Sequence, residues 1–132
     1  MKWISKGRKK KYGIKRLGKS FVYAIHGIFS AFKTEQNLVI HTIALIINII
    51  LMIVLKLSVV ECCLITIVIT IVFALEMVNT ALEYTVDMAM PQIHPLAKIS
   101  KDVASGAVLV SAIGAAIVGL IIYVPKIIFY FR

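Results

Sequence analysis

The sequence predicts an all-α integral membrane protein, with one N-terminal amphipathic surface helix and three transmembrane helices in a single small domain. Three observations carry that prediction. Of 132 residues, 61% are hydrophobic and the mean hydropathy is +0.97, far too apolar for a soluble domain of this size. Three apolar stretches reach the roughly 20 residues needed to cross a bilayer. Ten of the fifteen Lys and Arg precede residue 34, so the charge is gathered ahead of the spans. The positive-inside rule then places the N-terminus in the cytoplasm.

Residues 1–19 form a basic segment interrupted by Gly7, Gly13 and Gly18, with Trp3 and Ile4 able to touch the interface. A basic segment ahead of apolar helices points to the acidic inner membrane surface rather than to nucleic acid. It is long, and no small-residue cleavage site follows a short apolar core, so no cleavable signal peptide is expected. Gly13-Ile-Lys-Arg-Leu-Gly18-Lys19-Ser20 matches the phosphate-loop pattern G-x-x-x-x-G-K-[ST]. That loop works only between a buried strand and a helix. No parallel sheet can be built from the apolar stretches downstream, so the match is a coincidence.

Across residues 20–35, Phe21, Ala24, Ile25, Ile28 and Phe32 recur at helical spacing. This predicts an amphipathic helix on the membrane surface, capped by Ser20. A lid over a site at the inner face and a plain anchor both fit the pattern. The first span is placed at residues 38–57, with His41, Asn48 and Lys56 along it. Lys56 can snorkel, and Asn48 is expected to hydrogen-bond a neighbouring helix.

A short link at 58–61 turns the chain back into a second span at 62–87. Its adjacent Cys62 and Cys63 diverge by about 100° on a helix, which suits neither a disulfide nor a zinc site. The loop of residues 88–99 contains Pro91 and Pro95, and Ser100 or Asp102 would cap a third span at about 102–124. There Ser111, Ala115 and Gly119, with Ala112 and Ala116, predict a small-residue face for close helix contact. Pro125, Lys126 and Arg132 close the chain on the outer side. Tyr84 and Tyr123 read as interfacial anchors. His26 and His41 read as helix-face residues bonded to neighbours or water, since one histidine makes a poor metal site.

The chemistry gathers in Glu76-Met-Val-Asn-Thr-Ala-Leu-Glu-Tyr-Thr-Val-Asp87. Offsets of 3, 7 and 11 put Asn79, Glu83 and Asp87 within roughly 60° of Glu76 on one helix. Carboxylates at membrane depth are costly unless paired, protonated or bound to a cation. Topology brings Glu35 to the same cytoplasmic face. Glu35 and Glu83 are hard oxygen ligands suited to Mg²⁺ together with substrate phosphates. Lys101, the first amides of the third helix and the basic segment around Arg16 could hold a polyphosphate. Glu76, deepest in the stripe, is placed to act as base toward a hydroxyl presented from the lipid. Nucleotide from the cytosol and alcohol from the bilayer suggest a lipid kinase. Two other classes remain at this point: a non-enzymatic cation-binding membrane module, and a small transporter subunit with Glu76 as proton relay. Three spans are thin for enclosing a polar site in lipid, so a homo-oligomer is expected.

Glu76-x-x-Asn79-Thr80-Ala81-Leu82-Glu83-x-x-Val86-Asp87, then His94-Pro95-Leu96-Ala97-Lys98-x-x-Lys101-Asp102-x-Ala104-x-Gly106-Ala107-Val108, resembles the signature of the prokaryotic diacylglycerol kinase family. Upstream, Arg16-x-x-x-Ser20-Phe21-x-Tyr23-Ala24-x-x-Gly27 and Ala31-Phe32-Lys33-x-Glu35-x-Asn37-x-x-x-His41 agree with it. The resemblance covers residues 16–124. The His-Pro-Leu-Ala-Lys variant resembles the Gram-positive branch, whose members act mainly as undecaprenol kinases, with diacylglycerol as the alternative substrate. The resemblance implies a bacterial inner-membrane homotrimer with active sites shared between subunits, using ATP as donor and Mg²⁺ as cofactor. It implies Glu76 as catalytic base and Glu35 and Glu83 as Mg²⁺ and ATP ligands. Asn79 and Asp87 would support the site, and Arg16, Tyr23, His94, Lys101 and Asp102 would contact or position the nucleotide. Gln92-Ile93 departs from the family pattern, in which many relatives have an acidic residue and an aromatic.

Overall fold

The computed structural model describes residues 13–132; the basic residues before Gly13, with Trp3 and Ile4, lie outside the described residues. Four helices run in order: α1 (Ile14–Thr34), α2 (Gln36–Val54), α3 (Val59–Ala89) and α4 (Pro95–Tyr130). Three of them, α2, α3 and α4, are long and apolar enough to cross a membrane. Most of their large side chains, Ile43, Ile47, Ile50, Leu109, Ile113 and Ile117 among them, are exposed on the single chain. Such a surface is tolerable only against lipid or another apolar partner.

Each helix differs at its ends from the sequence-based expectation, and the reasons are local. The first begins at Ile14 rather than at residue 20. The apolar spacing of Ile14, Leu17 and Phe21 carries the helix back through Gly18, whose cost of about 1 kcal/mol is tolerable in a helix of this length. Ser20 is therefore no cap: its hydroxyl donates to the Arg16 carbonyl at 3.1 Å inside the helix. Gly13–Ser20, the apparent phosphate loop, is helical from Ile14 onward.

The second span opens at Gln36 and ends at Val54. Leu55 caps it, and Lys56 takes φ 49°, the left-handed region. The N–H of Leu57 bonds the Met52 carbonyl at 3.1 Å and that of Lys56 bonds Ile53 at 3.3 Å, which is a Schellman ending. The next helix begins at Val59 rather than 62. Ser58 and Glu61 form a reciprocal capping box, a device written in the sequence as S-x-x-E.

The fourth helix starts at Pro95, not near residue 102. Neither Ser100 nor Asp102 caps it; His94 does, its Nδ1 accepting from the Leu96 N–H at 3.2 Å. Proline suits the first helical position because its missing N–H is one of the unpaired donors there. The loop shrinks to Met90–His94. At the other end the helix runs through Pro125 to Tyr130.

Most intrachain packing lies between α3 and α4. Its buried cluster is Ile65, Ile122 and Tyr123, with Leu51, Met52, Ile69 and Val118 packed against it. Lys126 pairs with Glu61 at 3.0 Å across the same end. Tyr123 is not an interfacial anchor: it is 9% exposed, and its hydroxyl donates to Asn48 Oδ1 on α2 at 2.9 Å. The interhelical bond expected of Asn48 is thus present. The small residues Ala112, Ala115, Ala116 and Gly119 do not draw α2 into close contact. They line a groove of about 540 Å³ among α2, α3 and α4.

Helix length positions the polar stripe. At 1.5 Å per residue, the 19 residues of α2 span about 28 Å, close to the thickness of a hydrocarbon core. The third helix is twelve residues longer. Because α2 ends and α3 begins at a common turn, the excess collects at the end bearing Glu76–Asp87. The first turns of α4 accompany it.

Candidate active site

Glu35 is the one non-helical residue between α1 and α2. It takes φ −107° and ψ 109°, and its N–H bonds the Ala31 carbonyl at 2.9 Å. It is thus both the end of one helix and the start of the next, flanked by buried Ala31 and Leu38. The bend brings its carboxyl toward α3. Burial, followed by the charges of Glu83 and Glu76, pushes the Glu35 pKa above its ordinary 4.5. Three carboxyl groups within electrostatic reach of one another form a site that favours a cation.

On α3, Glu76 is 2% exposed, and its Oε1 has no hydrogen-bond partner among the described residues. The backbone carbonyl of Glu76 accepts from the Thr80 hydroxyl at 3.0 Å. Asn79 is also buried; its Nδ2 donates to Glu83 Oε1 at 3.2 Å, leaving its own Oδ1 unpartnered among the described residues. The helical stripe read from the sequence is therefore real, and its inner half is sequestered. A buried polar atom without a partner costs about 1–3 kcal/mol, and a bound ligand can offset that cost. Glu35 and Glu83 supply hard oxygens, the donor type that Mg²⁺ takes together with phosphates. No group of three or more His, Cys, Asp or Glu is placed to hold a metal among the described residues. The two glutamates therefore suit a metal whose remaining ligands come from water and substrate.

One turn beyond Glu83 on α3, the Asp87 carboxylate accepts from Lys101 Nζ at 2.6 Å. The pair spans the α3–α4 hairpin above a second cavity of about 310 Å³, lined by Asp87, Gln92, His94, Lys98, Lys101 and Asp102. With His94 Nδ1 occupied as the helix cap, its Nε2 remains for a ligand. The departure at Gln92-Ile93 lies in this wall, where Ile93 is fully exposed. Residues expected to meet the nucleotide are thus brought together here, close to the carboxylate group.

Neither Arg16 nor Tyr23 lines the hairpin cavity or makes a hydrogen bond or ion pair with the site carboxylates among the described residues. Tyr23 is 70% exposed, and along α1 it stands twelve residues, about 18 Å, from Glu35. Arg16 is farther still, about 28 Å by the same rise.

The sequence places one neighbour of the site in the upstream family motif but gives it no role beyond a helix-face residue. His41, on α2, places Nε2 3.9 Å from Glu76 Oε1. Its ring leans on Phe73 with centroids 6.0 Å apart. It also lines the apolar groove. The available signal is topological: an antiparallel α2–α3 pair puts both residues near the same face.

Known proteins carry the same pattern. Residues 22–123 match the family model described as prokaryotic diacylglycerol kinase. The chain is 42% identical to undecaprenol kinase of Bacillus subtilis (strain 168) over 114 residues, covering 86% of this chain and 93% of that protein. It is 41% identical to diacylglycerol kinase of Synechocystis sp. over 109 residues, covering 82% of this chain and 62% of that longer protein. The match takes in α2, α3, most of α4, the carboxylate cluster and the hairpin cavity, and with it the chain belongs to the prokaryotic diacylglycerol kinase family.

Proposed function

We propose that this protein transfers the γ-phosphoryl group of ATP to the hydroxyl of a membrane lipid alcohol, with undecaprenol as the substrate and undecaprenyl phosphate as the product. The observation that carries the reading is the buried Glu76, with an unpartnered carboxylate oxygen beside the Glu35–Glu83 pair. The similarity to the B. subtilis undecaprenol kinase supports the choice of alcohol. Diacylglycerol is the second reading, favoured by the similarity to the Synechocystis enzyme.

Glu76 acts as general base. As the lipid oxygen attacks the γ-phosphorus, its O–H bond breaks and the proton passes to the Glu76 carboxylate. The bond from phosphorus to the bridging oxygen breaks, and its electron pair leaves with ADP. Glu35 and Glu83 would hold Mg²⁺, which when bound would supply charge neutralisation to the phosphates. Asn79 fixes Glu83 through the 3.2 Å hydrogen bond. Lys101, His94 and Asp102 position the polyphosphate and nucleotide from the hairpin cavity, and Asp87 orients Lys101 through the 2.6 Å contact. Positioning and charge stabilisation do most of the work in such transfers.

Arg16 and Tyr23, about 28 and 18 Å along α1 from Glu35, serve the site of a neighbour in a homotrimer. In this arrangement α1 is the amphipathic surface helix. The basic N-terminal side keeps it, and the site, on the cytoplasmic face of the inner membrane.

The test is transfer from labelled ATP in mixed detergent–lipid micelles, with undecaprenol and diacylglycerol offered separately and Glu76→Gln as control. Undecaprenyl phosphate formed by the wild type and lost in the variant is the expected result. Preference for diacylglycerol reverses the substrate assignment. Transfer to neither lipid, with Mg²⁺ present and the assembly intact, refutes the kinase reading.

A further inference from the structure

Glu76 Oε1 is a buried acceptor without a donor among the described residues, and the imidazole of His41 is the titratable group paired with it, at 3.9 Å. That separation is longer than a hydrogen bond, and catalytic hydrogen bonds in ligand-free proteins are often long and tighten only in the complex. His41 is not free to wander: Phe73 of α3 supports one side of its ring. A carboxylate has two oxygens, and holding one decides where the other points. An unheld glutamate, with several rotatable bonds, would lose much of the orientation that proton transfer requires.

We infer that His41 is a positioning residue: its Nε2–H holds Oε1 of Glu76 so that Oε2 faces the lipid hydroxyl. The inference rests on the kinase reading for its catalytic consequence, but the His41–Glu76 pair can be observed without turnover. During transfer the hydroxyl proton goes to Oε2, and His41 neither gains nor loses a proton. The placement also explains why a histidine stands where the apolar groove meets the carboxylate cluster: among the groove-lining residues, His41 is the one paired with the Glu76 carboxylate. Glu35, at the α1–α2 junction, lies within electrostatic reach of Glu76 and of Glu83, farther along α3. Glu35 and Glu83 are both acidic, so neither can supply the missing donor when ionised.

The test compares the full-length wild type, His41→Ala and His41→Gln in lipid micelles with ATP and Mg²⁺. Alanine is expected to lower kcat by about tenfold or more, with KM for lipid and for ATP held within about threefold. Glutamine keeps an N–H donor at similar reach and is expected to recover much of kcat. A kcat for His41→Ala within about twofold of wild type overturns the inference. So does a loss confined to lipid KM, or a glutamine variant as impaired as alanine.

Nitrogen-15 NMR of His41 in bicelles gives the second readout. The Nε2–H tautomer is expected, with an Nε2 resonance that moves in Glu76→Gln; an unmoved resonance overturns the pairing. Should His41→Ala fail to fold, the glutamine variant and the NMR comparison decide. Coupling seen by NMR in a protein that phosphorylates neither lipid would sink the kinase reading and leave the pair standing.

Discussion

Removing one hydroxyl, by Tyr123→Phe, isolates the polar link between α2 and α4. The phenyl ring remains, so its packing beside Ile65, Ile122 and Val118 is retained. What disappears is the donor to Asn48 Oδ1 at 2.9 Å. Hydrogen bonds between membrane helices contribute about 0.6 kcal/mol on average and up to about 1.7. Asn48 is then left with an acceptor in a largely apolar groove, because its Nδ2 is already donating to the Ala44 carbonyl at 2.8 Å. Stranding that acceptor brings the expected loss to about 1–2 kcal/mol. Reversible unfolding of the protein in lipid micelles, titrated with SDS, measures it. Turnover per folded enzyme should stay near wild type, since Asn48 lies seven residues, about 10 Å, along α2 from His41. The Asn48→Leu/Tyr123→Phe double variant should lose less than the sum of the singles, because neither partner is then stranded. Additive losses, or a single-variant loss below about 0.3 kcal/mol, would refute the reasoning.

Three further outcomes are expected. Lys56→Gly relieves the left-handed backbone that ends α2 and should stabilise the protein by about 1 kcal/mol in the same unfolding assay. Lys101→Met should chiefly raise KM for ATP and leave the unfolding midpoint almost unchanged, because its partner Asp87 is largely exposed and such ion pairs contribute little to stability. Glu35 holds its proton more tightly folded than unfolded, so its contribution is fully present below its ordinary 4.5 and is lost as pH rises through the elevated folded value. Without Mg²⁺ the thermal midpoint of wild type should therefore fall more steeply with rising pH than that of Glu35→Gln. Mg²⁺ should restore the wild type and barely move the variant.

What the sequence makes legible divides by whether one helix suffices. The stripe Glu76, Asn79, Glu83, Asp87 needs only a pitch of 3.6 residues, and so does the apolar length of each span. The helix starts at Val59 and Pro95 are also written locally, as Ser58-x-x-Glu61 and His94-Pro95, but weight given to the apolar runs alone passes over them. The contacts between helices are another matter. His41 with Glu76, Asn48 with Tyr123 and Lys101 with Asp87 depend on relative register and rotation, which a single sequence does not state. The alanines and Gly119 of α4 illustrate the limit: small side chains permit close approach without requiring it, and within this chain they leave a groove.

The unequal lengths of the spans make the site responsive to the membrane's own dimensions. Only Glu35 separates α2 from α1, so α2 has no spare turn to surrender when the bilayer thickens, whereas α3 carries twelve extra residues. Hydrophobic mismatch is relieved by tilting, thinning or snorkelling, at a fraction of a kcal/mol per Å. Unequal tilting of α2 and α3 would slide Glu35, at the head of α2, past Glu76 and Glu83 on α3. Bilayers of different acyl-chain length are therefore expected to change the spacing of the carboxylates without any change in the protein's covalent structure.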